Sequence, residues 1–110
     1  MARLQGLLAA KGVKVFDVID QRAEPQAAGL DLRETVLVVF GNPAAGTRVM
    51  DAVPLSALDL PLKLLVWAGD DGTTNVSYVA PAVLAERYAL PAPLTQVLEV
   101  VEGLTDALMQ

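Results

Sequence analysis

The chain reads as an α+β domain, a two-layer α/β sandwich in which helices cover a mostly antiparallel sheet of about four strands. Three observations carry that class. Two apolar runs, TVLVVF at 35–40 and LKLLVWA at 62–68, have the length and branched content of interior strands. A loop rich in turn formers, GDDG at 69–72, joins the second run to TTNVSYV at 73–79 and marks an antiparallel hairpin. Towards the C-terminus Leu94, Leu98, Val101, Leu104 and Leu108 fall on one helical face, with Glu99, Glu102 and Asp106 turned away from it. The 110 residues provide one core and one domain, 1–110.

The elements follow in order. Leu4, Leu7 and Leu8 have helical spacing within 3–10, and Gly12 is placed to close that helix. VKVFDVI at 13–19 is mostly apolar and β-branched and reads as the first strand in spite of Asp17. RAEPQAAG at 22–29 reads as a short helical turn ended by Gly29, with Pro25 tolerated near its start. After TVLVVF the segment GNPAAGT at 41–47 turns the chain into a short helix over 47–53, with Thr47 as its cap. Pro54 and Pro61 limit the connector VPLSALDLP to a turn or two. Pro81 opens a helix over AVLAERYAL, and Pro91 and Pro93 separate it from the last one.

Composition excludes several functions. With 8 basic and 13 acidic residues the net charge is -5, and no Lys or Arg run exists to neutralise a phosphate backbone, so nucleic acid is not expected as a partner. The absence of Cys and His removes disulfides, thiol nucleophiles, imidazole bases and the usual soft or borderline metal ligands. No cofactor is expected. The opening MARLQGLLAAKG is too short in apolar residues for a signal peptide, and no run approaches a membrane span. The expectation is therefore a cytoplasmic protein without a membrane partner, in which the sequon Asn75-Val76-Ser77 carries no meaning.

The segment at 41–48 is the candidate site. Gly41, Asn42, Gly46, Thr47 and Arg48 share the glycine spacing and the hydroxyl of a phosphate-cradling loop, but the lysine is missing and Pro43 removes a donor. Two readings stand. Either the segment only connects strand to helix, or Arg48 and the amides near Gly46 hold a small anionic or polar molecule. A nucleotide site is not expected. Asp17, Asp20, Asp51 and Asp59 are candidates for acid and base work or a hard cation, although surface acids of an acidic domain account for them as well. Asp70 and Asp71 suit a hairpin tip, and Trp67 and Tyr78 suit core or subunit contacts.

The segments VFDVID, AAGL, VLVVFGNPAAGTRVM, LDLPLKLLVW and YVAP, in this order, resemble the family catalogued as domain of unknown function number 302 (DUF302), known also for its TT-type bacterial prototypes. The resemblance runs from about Leu4 to Tyr88 and is most specific at FGNP followed by AGT and a methionine. It implies a small α/β fold with an antiparallel sheet, frequent dimerisation and no established activity, and it supplies no catalytic residues. Family members commonly carry a His where this chain has Gln21, which argues against metal binding or proton transfer at Asp20-Gln21. They also usually begin with a strand ahead of the first helix.

Two functional classes remain. One is a non-catalytic binding or interaction domain; the other is a hydrolase or isomerase using Asp17, Asp20 or Asp51 with Arg48 and Thr47. A homodimer is expected, because TVLVVF and LKLLVWA are apolar on both faces while Leu4, Leu8, Leu84, Leu98 and Val101 can cover only one. The alternative is that 59–62 and the first helix fold back over the second face.

Overall fold

The computed structural model describes Gly6, Ala10 and residues 13–108. Apart from Gly6 and Ala10, the helix expected over 3–10 lies outside the described residues, as do the side chains of Leu104 and Leu108. Strand β1 (Lys14–Asp20) is followed by the short helix α1 (Ala23–Ala27) and then by strand β2 (Thr35–Gly41). Helix α2 (Pro43–Ala52), a 3-10 turn (Pro54–Leu58), and the hairpin of β3 (Leu62–Ala68) and β4 (Thr74–Ser77) come next. Helices α3 (Pro81–Tyr88), α4 (Ala92–Leu98) and α5 (Val100–Leu108) follow.

The four strands form one sheet in the order β1-β2-β3-β4, every neighbouring pair antiparallel. β2 and β3 are thus central, as their apolar composition requires, and residues paired across strands share a face. Val36, Val38 and Phe40 of β2 stand beside Val66, Leu64 and Leu62 of β3. These residues belong to or pack against a core that Val49, Leu84, Leu98 and Val101 close from the helices. Helices α2 to α5 therefore sit on one face of the sheet, and Leu84, Leu98 and Val101 fill it as expected.

Two helix boundaries differ from the sequence reading, each for a local reason. α2 begins at Pro43, four residues before Thr47, because Asn42 supplies a better cap: its Oδ1 accepts from the main-chain N–H groups of Ala44 at 3.0 Å and Ala45 at 3.2 Å. Proline then takes the first helical position, where its lacking N–H costs nothing. The expected final helix is two helices. At Glu99 the chain tightens into i+3 bonds, Glu99 N–H to Gln96 O at 3.2 Å and Glu102 N–H to Glu99 O at 3.0 Å, which breaks the 3.6-residue register between Leu98 and Val101. Both residues stay buried across the break.

The β3–β4 hairpin spans five residues, 69–73, with Gly72 at φ 82° where an L side chain is strained. Asp71 shapes it by accepting from the Thr73 N–H at 3.1 Å and the Thr73 hydroxyl at 2.6 Å. From outside, Arg33 braces the same turn through Ala68 O at 3.2 Å and Asp70 at 2.5 Å.

Candidate functional site

The 41–48 segment is less a loop than the first turn of α2. The main-chain donors that follow Asn42 in its first turn are engaged: Ala44 and Ala45 bond the Asn42 side chain, Gly46 N–H bonds Asn42 O at 2.9 Å, and Pro43 has none to offer. Thr47 lies inside the helix, exposed, with its hydroxyl on Pro43 O at 2.7 Å, so it does not cap α2. Of the donors the sequence reading invoked, Arg48 alone stays available, exposed on α2.

Gly41, Asn42 and Gly46 instead line an apolar pocket of about 70 Å³. Met50 of α2, the Leu60-Pro61 connector and Val97 and Leu98 of α4 complete its wall, and Phe16 stands at the same pocket. Phe16 reaches this position because β1 bulges between Val15 and Asp17, so one extra residue is extruded from the ladder. A volume of that size holds a small apolar group and not a metabolite, for which a few hundred Å³ are usual.

The carboxylates disperse. Asp17 pairs with Val39 on the face of the sheet opposite the helices, whereas Asp20 pairs with Val36 on the helix side at the strand's end. Asp51 is exposed on α2. Asp17 is thus separated by the sheet from Thr47 and Arg48, whereas Asp51 stands one turn along α2 from both. Among the described residues no group of three or more acidic side chains could hold a metal ion.

Asp59 has a different task. It accepts from Arg87 Nη1 at 2.7 Å and, through the same Oδ2, from the Tyr88 hydroxyl, and so ties the end of the 3-10 turn to α3. The Tyr88 hydroxyl, followed by the Arg87 guanidinium, holds the Asp59 carboxyl below its ordinary value; the carboxylate in turn raises Tyr88 and Arg87. A carboxylate depressed in the folded state adds stability above its unfolded pKa and loses it as pH falls through the folded one. The expected result is that Asp59→Asn lowers stability at neutral pH and flattens the acid limb below about pH 4. Denaturant midpoints measured from neutral to acid pH check this, and an acid limb as steep as that of the wild type would contradict it.

The second face of the sheet is the feature that the strands' composition foreshadowed. Ile19, Leu37 and Leu65 form one row across it, and Asp17, Val39 and Lys63 form the next. Leu37, Val39, Leu65 and Trp67 are half-buried and lie outside the core cluster, and Ile19 is 38% exposed. Leu60 packs against the core on the helix side, so the connector does not fold back over this face. Leu37, Lys63, Leu65, Tyr78 and Val79 bound an open groove of about 340 Å³ along it. The sequence signalled the apolar surplus. It did not reveal that Asp17 and Lys63 occupy one row, because that requires the register of three strands.

Residues 1–109 match the family described as "Domain of unknown function DUF302". A crystal structure of an uncharacterized conserved protein DUF302 from Bacillus stearothermophilus superposes with a TM-score of 0.81 at 28% identity, over 96% of this chain and 82% of that one. Among curated proteins, "Fluoride-specific ion channel FluC 1" of Brucella suis biovar 1 (strain 1330) is 39% identical over 79 residues, 72% of this chain and 31% of the channel. "Fluoride-specific ion channel FluC 2" of Brucella melitensis biotype 1 matches with the same identity and extent, covering 29% of its length. The chain thus spans about three-tenths of the length of the curated relatives it matches.

Proposed function

This chain belongs to the DUF302 family, and from that premise we propose that it is a non-catalytic binding and interaction domain that works as a homodimer through the sheet face that helices α2 to α5 leave open. One observation carries the reading, the two rows on that face. A two-fold axis running along β2, between two copies packed face to face, places β1 of one copy over β3 of the other at the same height along the strands. The row Asp17, Val39, Lys63 then complements itself, with Asp17 over Lys63 on both sides and Val39 over Val39. In the next row Ile19 meets Leu65, and Leu37 meets Leu37. The three seven-residue strands β1, β2 and β3, about 4.8 Å apart with about 3.3 Å per residue, present a face of roughly 14 by 23 Å, in the range of surface patches that are often functional.

An interaction role also agrees with the relatives, in which the matched region is part of a longer chain. Fluoride conduction is named for those proteins, and among the described residues here no helix is long and apolar enough to cross a membrane. At the 41–48 segment the proposal is of an apolar contact. Its support is the lining of the pocket and the engagement of the amides that an anion would draw on.

Sedimentation equilibrium at micromolar concentration tests the dimer. The expected mass is twice the 11.6 kDa of one chain; the single-chain mass at every loading rejects it. Lys63→Asp sets like charges opposite one another and should dissociate the dimer at least tenfold more readily, a change of about 1.4 kcal/mol. Adding Asp17→Lys to it should restore association. Failure of the double exchange to rescue would reject the face-to-face arrangement.

A further inference from the structure

Where β1 ends and β2 begins, Asp20, Val36 and Val66 form a row on the helix side of the sheet. With Arg22, Gln26 and Glu34 they line a cleft of about 400 Å³, within the range of small-molecule sites. No sequence motif marks it, since Glu34 reaches Arg22 only through the pairing of β1 with β2.

The cleft holds an unanswered hydrogen-bond donor. Arg22 Nε is buried without a partner, and the nearest carboxylate oxygen, Glu34 Oε1, lies 3.7 Å from Nη1, beyond hydrogen-bond reach. A guanidinium carries five donors in a planar fork suited to a carboxylate, and the Arg22 side chain as a whole is 39% exposed and lines the cleft. Its place is set by the main chain, for Arg22 N–H donates to Asp20 Oδ1 at 2.9 Å. Buried polar groups are almost always satisfied, so an orphaned one points to a missing acceptor.

Charge narrows what that acceptor belongs to. A simple anion on Arg22 would also face Asp20 and Glu34, whereas a simple cation drawn to the two carboxylates would face Arg22. A molecule with both charges a few bonds apart meets neither penalty. We infer that the cleft binds a small zwitterion, an α-amino acid with an apolar side chain. Its carboxylate takes the Arg22 fork, its ammonium lies against Glu34 and Asp20, and its side chain rests on Val36 and Val66.

The test uses the full chain and the NMR signal of the Arg22 Nε–H. Millimolar leucine should shift that signal, while N-acetyl-leucine and leucinamide, each lacking one of the two charges, should bind about tenfold or more weakly. Arg22→Met should abolish the binding and Glu34→Gln weaken it. The Glu34 side chain lies at the surface and that of Arg22 is part-exposed, and an unchanged amide spectrum elsewhere verifies that each variant is folded. An unmoved Arg22 signal in leucine, equal binding of the two derivatives, an equal shift by inorganic phosphate, or undiminished binding by either folded variant would each overturn the inference.

Discussion

Replacing Phe40 by alanine is expected to remove about 3–5 kcal/mol of stability, a large part of the 5–15 kcal/mol that a domain of this size possesses. Phe40 is fully buried. It lies on the helix-side face of β2, paired with Val15 on one side and Leu62 on the other. The aromatic ring fills the space between the sheet and the helix residues Val49, Leu98 and Val101 of the same cluster, and a backbone held in a central strand cannot collapse into the void. The loss combines the transfer free energy of the ring with a cavity that stays open. Urea denaturation measures it as a lowered midpoint with an unchanged slope. Leu55→Ala, at a side chain 69% exposed, serves as the control and should fall within about 0.5 kcal/mol of the wild type. A Phe40→Ala loss no larger than that of Leu55→Ala would refute the packing described.

Asn42→Ala is expected to cost about 1–2 kcal/mol. The single Oδ1 of Asn42 satisfies two of the first-turn donors of α2, and Pro43 leaves no other N–H ahead of them. Without it, Ala44 and Ala45 must turn to water. The first turn then frays, and with it the wall that Gly41, Pro43 and Gly46 give the apolar pocket. Asn42→Asp should preserve the fold, since aspartate caps as well and adds charge favourable to the helix dipole. Thr47→Ala should lie within about 0.5 kcal/mol of the wild type, because alanine replaces a residue of lower helix propensity whose hydroxyl only bonds back to Pro43 O. Chemical denaturation of the three variants separates the two assignments of the cap. A costly Thr47→Ala beside a harmless Asn42→Ala would contradict the structure.

What the sequence determined by itself was local. Branched and apolar runs made TVLVVF and LKLLVWA central strands, the Gly- and Asp-rich turn made a hairpin, and Pro81 opened α3. These features depend on contacts a few residues apart, which spacing and propensity record directly. Membership of the DUF302 family was legible for the same reason, in short motifs kept in order. The start of α2 was misplaced although its signal was local, because two adequate caps, Asn42 and Thr47, competed and only the hydrogen bonds chose between them. Tertiary structure alone decided the rest. The burial of Val49 among Phe40, Leu64 and Leu98 put helices α2 to α5 on one face of the sheet and left Leu37 and Leu65 on the other. The strand register put Asp17 in line with Lys63, and the β1–β2 pairing brought Glu34 to Arg22. Each is a relation between residues far apart in the chain, and it exists only after the core has selected one register and one face from the several that the local pattern permits.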